Sequence, residues 1–181
     1  QFRAKPIVWP MVLPQLEAAT RFQSPGLDQQ LYVRAMQTGK RVGGLENPGT
    51  QLRDVFKLSK EEQITFVRST LDSMDKADAG KTDMLMQSIE FYLRGDGKAF
   101  HQFLLDDSKS LPEPLRTKFL DGLVYNRNVG IAREIEELVR AFPNRKHFFA
   151  VGTFHMLGER SVLNELKKRN VTTELVTDET P

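Results

Sequence analysis

The fold of this chain is decided by the stretch HFFAVGTFHMLGERSVLNELKKRNVTTELVT, which occupies residues 147–177. Its opening run, residues 147–152, is rich in aromatic and β-branched residues at both odd and even positions, a pattern typical of a central strand covered on both faces. Residues 158–170 have the apolar spacing of a helix with a basic end, and residues 171–177 resemble an edge strand. The stretch therefore predicts a strand, a turn, a helix and a final strand.

A further short strand is predicted upstream at RVGGLE, residues 41–46, which lies between turn signals. From residue 50 to residue 142 the apolar spacing is instead helical, and its last helix is expected to run from about 115 to 142 with an interruption near Gly130. This order of elements predicts an α/β sheet core, helix-rich overall, with a large helical insertion at 50–142. We expect a single domain over residues 1–181.

The composition restricts the class of protein. The 181 residues are 39% hydrophobic and 28% charged, which excludes a disordered or collagen-like chain. The 26 basic and 24 acidic residues leave a net charge of +2, which is too small for a nucleic-acid-binding surface. No apolar run approaches the roughly 18 residues of a membrane span, and the absence of cysteine excludes disulfides and thiol nucleophiles. We expect neither a nucleic-acid partner nor a transmembrane segment in this chain.

Two predicted strands end close to residues that carry chemistry. Glu46 closes the strand at 41–46, and His155 follows the strand at 147–152 by three residues. Ligands of open α/β sheets gather beyond the carboxyl ends of parallel strands, so we expect the carboxylate and the imidazole to converge there. The alternative is that Glu46 is a solvated loop carboxylate and that His155 is a loop histidine satisfied by its neighbours.

Arg127 is expected to lie on the apolar face of its helix. At about 100° per residue it falls within roughly 80° of the apolar residues of that helix, which are Leu120, Leu123, Val124, Ile131, Ile135 and Leu138. A buried guanidinium needs a carboxylate or several carbonyls, and Glu46 is our candidate partner. Asn128, on the adjoining face, could hydrogen-bond a ligand or a backbone group. Two alternatives stay open: a helix break near residues 125–126, and an arginine whose head reaches solvent.

The histidine content limits metal chemistry. The chain has three histidines, at positions 101, 147 and 155, with no HExxH, no HxH and no pair at i, i+4. We expect His101 and His147 to be structural. The chain then offers one credible histidine ligand, and it cannot build a three-histidine zinc site alone. Motifs for dinucleotide binding, for a P-loop and for a serine hydrolase are also missing from the sequence.

Three motifs occur in order along the chain: GKRVGGLENPGTQL, YNRNVGIAREIEELV and FFAVGTFHMLGERSVLNELKKRNV. They resemble consecutive signatures of the TraB/GumN family, which includes the Tiki metalloproteases. The family pattern is a Gly-Leu-Glu strand end with a later glutamine, then an Arg-Asn helix, then Gly-x-x-His with a further glycine. The matching residues in this sequence are Glu46, Gln51, Arg127, Asn128, Gly152, His155 and Gly158.

The resemblance implies a function and a catalytic set. It implies an EreA/ChaN-like α/β core and metal-dependent hydrolysis, with peptide-bond cleavage in the Tiki branch. His155 would be a metal ligand or the general base, and Glu46 a metal ligand or the carboxylate that activates water. Arg127 would pair with Glu46 or stabilise an oxyanion, and Asn128 would support it.

The resemblance also implies the surroundings of this site. Gly152, Gly158 and Gln51 would belong to the cofactor-binding part, and the cofactor would be a divalent ion such as manganese, cobalt or zinc. The substrate would be a peptide or protein, and the location extracytoplasmic, either secreted or at the cell surface.

The family pattern contains two Gly-x-x-His motifs, whereas this chain contains only the second. The resemblance therefore predicts an incomplete domain that lacks an N-terminal segment. We expect the full-length protein to be an enzyme and the isolated chain to have an incomplete site. The N-terminal segment, or a second copy of the chain, would be a partner. The alternative function is a non-enzymatic ligand-binding or interaction module on the same fold.

Overall fold

The protein is described here by a computed structural model, which covers residues 5–23, 25–47, 49, 57–80 and 83–176. Helices dominate this part of the chain. In chain order they are α1 (Val8–Phe22), α2 (Leu27–Gln37), α3 (Lys60–Asp78), α4 (Met84–Arg94), α5 (Gly97–Ser108), α6 (Glu113–Leu120), a π-helical segment (Asp121–Tyr125), α7 (Asn126–Ala141), a 3₁₀ turn (Thr153–Met156) and α8 (Val162–Lys168). Among these described helices, none combines the length and the apolar character needed to cross a membrane.

Short polar side chains fix several helix starts. Ser59 and Glu62 form a capping box at the start of α3: the backbone N–H of Ser59 donates to Glu62 Oε2 (2.8 Å), and the N–H of Glu62 donates to Ser59 Oγ (3.2 Å). Asp83 and Asp96 cap α4 and α5, each accepting a hydrogen bond from an N–H of the first turn. Gly95 ends α4 at a φ of +67°, a conformation that favours glycine. These caps set the short connection between α4 and α5.

The main core lies between α7 and α8. Apolar side chains on both helices are almost fully buried there: Ile131, Ala132, Ile135, Val162 and Leu166. Burial of each larger side chain contributes roughly 1.5–3 kcal/mol. At the edge of this core Glu136 pairs with Arg140 on the same helix (2.8 Å) and with Arg169 after α8 (3.1 Å). The apolar contact and the ion pairs together fix α7 against α8.

The sheet expected from the sequence is absent from the described residues, so the predicted α/β fold with an EreA/ChaN-like core is wrong for them. The segments 41–46 and 147–152, and the described part of the strand predicted at 171–177, are non-helical but contain no strand. Residue 177 lies outside the described residues. A strand exists only where a neighbouring backbone pairs with it. Within the described part of the chain, the backbone of residues 148–151 has no hydrogen bond to another backbone group.

These three segments instead pack on the helical core through one or two side chains each. Leu45, Phe149, Val151 and Val171 all contact the α7–α8 core. Along residues 147–152 half-buried and exposed side chains alternate, and Phe148 on the outer side is 78% exposed. The local composition of residues 147–152 thus produces the side-chain alternation of a strand. It does not produce backbone pairing or coverage of both faces, because both depend on residues that are distant in the sequence.

The long helix expected from about 115 to 142 is present as α6, the π-helical segment and α7 in succession. Its interruption lies at Asp121–Tyr125 and not near Gly130, which is inside α7. The N–H of Asn126 donates to the carbonyl oxygen of Asp121, five residues back, which is the hydrogen bond of a π-helix. One residue is thereby inserted into the helical repeat immediately before Arg127.

Candidate functional site

Four residues singled out in the sequence meet at one end of the α7–α8 core. Glu46 lies in the loop at 41–47, Arg127 and Asn128 lie in the first turn of α7, and His155 lies in the 3₁₀ turn. Glu46 is hydrogen-bonded to Arg127, and Asn128 is hydrogen-bonded to His155. Because Arg127 and Asn128 are consecutive, the two pairs form one group, which we call the site cluster.

Glu46 and Arg127 form a two-pronged ion pair. Nε of Arg127 donates to Oε1 of Glu46 (2.9 Å), and Nη2 donates to Oε2 (2.8 Å). Nη1 donates to the carbonyl oxygen of Leu123 in the π-helical segment (3.0 Å). The side chains are 26% and 21% exposed for Arg127 and Glu46, respectively, so water screens the pair only in part. Glu46 is therefore the carboxylate partner expected for Arg127, although the π-helical segment interrupts the regular helical spacing from which the need for a partner was inferred.

Asn128 determines which nitrogen of the His155 ring carries the proton. Its amide nitrogen donates to the carbonyl oxygen of Arg160 (2.6 Å), so its Oδ1 accepts from Nδ1 of His155, also at 2.6 Å. Nδ1 must therefore carry a proton, and in the neutral ring Nε2 then presents a lone pair. No hydrogen bond from a described residue reaches Nε2.

Burial lowers the pKa of His155 below its ordinary value, and the positive charge of Arg127 lowers it further. The carboxylate of Glu46 raises the same pKa, but it does not outweigh the other two effects. The imidazole is therefore neutral over a wider range of pH than an exposed histidine. A neutral imidazole with a free Nε2 can accept a proton or bind a cation.

The glycines expected near the cofactor behave differently from each other. Gly158 has a φ of +78°, and a Cβ at this position would lie 2.5 Å from the ring of His101, so both conformation and space require glycine. Gly152 has a φ of −56°, and its Cβ would lie at an ordinary distance of 3.6 Å from Cδ2 of His155. Glycine is thus not sterically required at position 152. Gln51 lies outside the described residues.

Arg160 supports the site cluster and was missed in the sequence. Its carbonyl oxygen accepts from Asn128, its guanidinium lies 3.9 Å from the ring centroid of Tyr125, and it pairs with Asp121 at 2.7 Å. It therefore ties the segment after the 3₁₀ turn to the π-helical segment. Asp121 and Arg160 are 39 residues apart, so no local pattern links them. His101, expected to be structural, packs on Phe154 with ring centroids 5.6 Å apart.

The described residues do not complete a metal centre. Within them, no three histidine, aspartate or glutamate side chains lie close enough together to hold an ion. Both carboxylate oxygens of Glu46 accept hydrogen bonds from Arg127, which competes with a cation for them. His147 is directed elsewhere, to the carbonyl oxygen of Phe142 (3.2 Å). His155 and Glu46, the ligands that the resemblance implies, are therefore insufficient by themselves.

Comparison with known proteins agrees with the family resemblance of the three motifs. The sequence pattern that defines the TraB/PrgY/gumN family matches residues 3–175. The chain is 28% identical over 188 residues to Metalloprotease TIKI2 of Danio rerio, 25% over 188 residues to Metalloprotease TIKI1 of Homo sapiens, and 25% over 174 residues to the Metalloprotease TIKI homolog of Nematostella vectensis. These alignments cover 92%, 92% and 86% of this chain but only 36%, 37% and 36% of the relatives. No solved structure matches the chain.

The chain thus spans little more than a third of the length of these curated relatives. The family match nevertheless extends over almost all of it and includes every member of the site cluster, from Glu46 to His155. The resemblance inferred from the three motifs is confirmed: the chain belongs to the TraB/PrgY/gumN family.

Proposed function

We propose that this chain is part of a TraB-family hydrolase that cleaves peptide bonds, with His155 as the residue that activates water. The observation that carries the proposal is the half-buried imidazole of His155, which Asn128 holds in one tautomer with Nε2 free of described partners. The name metalloprotease, which the relatives carry, supports a peptide substrate. An extracytoplasmic location belongs to the same proposal and rests on the family alone.

In the proposed reaction, Nε2 of His155 accepts a proton from water as the water oxygen bonds to the peptide carbonyl carbon. The same nitrogen returns this proton to the leaving amine as the carbon–nitrogen bond breaks. Asn128 keeps the ring oriented through both transfers, because its Oδ1 holds the Nδ1 proton. The lowered pKa of His155 keeps Nε2 unprotonated before the attack.

Glu46 and Arg127 act in this proposal mainly as a positioning pair. Three of the five N–H donors of Arg127 are directed at Glu46 and at the carbonyl oxygen of Leu123. These bonds fix the first turn of α7, and with it Asn128. Within the described part of the chain the other two N–H donors of Arg127 have no partner and are available to a developing oxyanion, which is the alternative role of Arg127.

The relatives' name also supports a metal ion in the full-length protein, and we propose that it is divalent. His155 could supply one ligand through Nε2. Because the described residues do not provide the other ligands, we assign no reaction step to the ion.

Two histidine variants test the proposal in the full-length protein. We expect His155→Ala to lower kcat on a quenched fluorescent peptide library by roughly 10²–10⁴-fold, the usual contribution of a general base. The matched control is His147→Ala, which removes a histidine outside the site cluster that bonds the carbonyl oxygen of Phe142 and stacks on Phe149. Wild-type turnover in His155→Ala, or equal losses in both variants, would refute the role of His155.

The second candidate function is a binding module without catalysis. It is favoured by the incomplete donor set of the described residues. In that case the same peptides would bind, as measured by titration calorimetry, while mass spectrometry of the mixture finds no cleaved product. Cleavage that depends on His155 would exclude this second function.

A further inference from the structure

A pocket of about 440 Å³ opens beside His155. Its volume is within the roughly 300–1,000 Å³ of sites that hold small ligands. The wall is formed by the face of α4, by one aromatic residue of α5 and by the 3₁₀ turn, and its main members are Ser88, Ile89, Tyr92, Phe100, Phe154 and His155. The pocket is therefore continuous with the site cluster.

The wall of the pocket is fixed by helical spacing and aromatic contacts. Ser88, Ile89 and Tyr92 are at i, i+1 and i+4 on α4, so they fall within an arc of about 100° around that helix. Phe100 is buried, and its ring lies 6.2 Å from that of Phe91, which joins α5 to α4. The ring of Phe154 packs on the ring of His101, with centroids 5.6 Å apart. One side of the pocket is thus built from α4 and α5, and the other side from the 3₁₀ turn and the glycine that precedes it.

The chemistry of the wall favours an apolar occupant. Among the described residues, no lysine, arginine, aspartate or glutamate lines it, and its members are mainly aromatic or aliphatic. Burial of an unpaired charge in such a place is unfavourable, whereas burial of apolar surface is favourable at about 25 cal/mol per Å². Tyr92, which is 60% exposed, stands at the open side.

We propose that this pocket is a specificity subsite for a large apolar side chain, such as phenylalanine or leucine, next to the scissile peptide bond. The inference rests on the proposed peptide hydrolysis and adds the substrate class. Because His155 belongs to the wall, a side chain seated in the pocket brings its adjoining peptide bond beside the imidazole. A peptide with aspartate or alanine at that position lacks this anchor.

The first test is a series of fluorescein-labelled peptides that differ only at one position, which is Phe, Leu, Ala or Asp. With the full-length protein we expect kcat/KM for Phe and Leu to exceed that for Ala at least about tenfold, and Asp to be the poorest. Fluorescence anisotropy of the same peptides gives their affinities independently of turnover. The same order is expected in the affinities.

Two phenylalanine variants on α4 provide the matched pair. Ser88→Phe places a ring in the pocket, and we expect it to reduce the preference for Phe over Ala to less than about threefold. Leu93→Phe adds a ring at a position that is 77% exposed and does not line the pocket, so the preference should be unchanged. Ile89→Ala enlarges the pocket and should weaken the preference without filling it. Thermal melting of each variant verifies folding.

The outcomes separate the subsite from the catalytic proposal. Equal affinities and rates for the Phe, Ala and Asp peptides would overturn the subsite, as would equal effects of Ser88→Phe and Leu93→Phe. A preference in affinity that Ser88→Phe removes, without cleavage of any peptide, would overturn peptide hydrolysis while supporting the pocket as an apolar binding site.

Discussion

Asn128 joins the two halves of the site cluster, because it follows Arg127 in the chain and holds the ring of His155. It is 1% exposed, and both ends of its amide are hydrogen-bonded. The sequence indicates a ligand or a backbone group as the hydrogen-bond partner of Asn128, and the family resemblance implies that it supports Arg127. In the structure its partners are the carbonyl oxygen of Arg160 and the ring of His155. A buried amide with both ends occupied has one orientation, so it also selects one tautomer of the imidazole.

Replacement of Asn128 should therefore change the titration of His155. In Asn128→Asp a carboxylate faces Nδ1, and we expect its negative charge to raise the pKa of His155. The pKa is measured by NMR of the labelled ring, and the acidic limb of the pH–rate profile should move upward with it. Asn128→Ala should instead reduce kcat roughly 10–100-fold. An unchanged titration of His155 in Asn128→Asp would contradict the contact.

The pair of Glu46 and Arg127 should contribute to stability through its partly buried geometry. Glu46→Gln leaves the guanidinium without its counter-charge, and we expect a loss of about 1–3 kcal/mol in the free energy of unfolding, less than for a fully buried pair. Urea denaturation measures it. The control is Glu90→Gln, which breaks the exposed pair with Arg94 and should cost less than about 0.5 kcal/mol. Equal losses would mean that the site pair is no more than a surface contact.

At the scale of elements, the site depends on two irregular pieces of helix. The π-helical segment supplies the carbonyl oxygen of Leu123 to Arg127, and the 3₁₀ turn presents His155. The turn is held at its start by the N–H of His155, which donates to the carbonyl oxygen of Gly152 (2.9 Å). It is followed by Gly158 in the left-handed region, packed on His101.

Two glycine-to-alanine variants should change the free energy of unfolding in opposite directions. Gly158→Ala introduces a left-handed alanine and a clash with His101, and we expect a loss of at least about 1–2 kcal/mol. Gly130→Ala lies inside α7, where a Cβ meets nothing within 4 Å, and should stabilise by roughly 0.5–1 kcal/mol. Thermal and urea unfolding of both variants test this. A neutral Gly158→Ala would show that the contact with His101 yields without cost.

At the scale of the whole molecule, stability should fall in two steps as the pH is lowered. The pKa of His155 is lower in the folded protein than in the unfolded chain, so its contribution is complete above the unfolded value and is lost as pH falls through the folded one. The second step lies in a more acidic window and is shared by three carboxylates. The pKa of Glu62 is lowered by its hydrogen bond from Lys118 and then by Ser59, and the pKa values of Asp83 and Asp106 are also lowered by hydrogen bonds.

Urea denaturation between pH 7 and pH 3 measures both steps. His155→Gln should remove the first step and leave the second one, because glutamine does not titrate. A first step of unchanged size in His155→Gln would assign it to another group.

The sequence predicts the local features of this molecule better than the distant ones. The capping box of Ser59 and Glu62 and the end of α4 at Gly95 are determined by neighbouring residues. The pair of Arg127 and Glu46 could be inferred because a guanidinium on an apolar face needs a carboxylate. The sheet could not, since residues 147–152 have strand composition while pairing depends on remote backbone. The contact of Asn128 with His155 likewise depends on how the 3₁₀ turn approaches α7.

The extra residue in Asp121–Tyr125 makes the helix on its carboxyl side out of phase with α6. A deletion of one residue there would restore a regular repeat and turn α7 by about 100° relative to α6. Arg127 and Asn128 would then keep their place in the motif while they lose Glu46 and His155 as neighbours. The spacing between α6 and the Arg-Asn signature should therefore divide the proteins that share this signature into two groups. One group assembles the site cluster, and the other contains the same residues without the cluster.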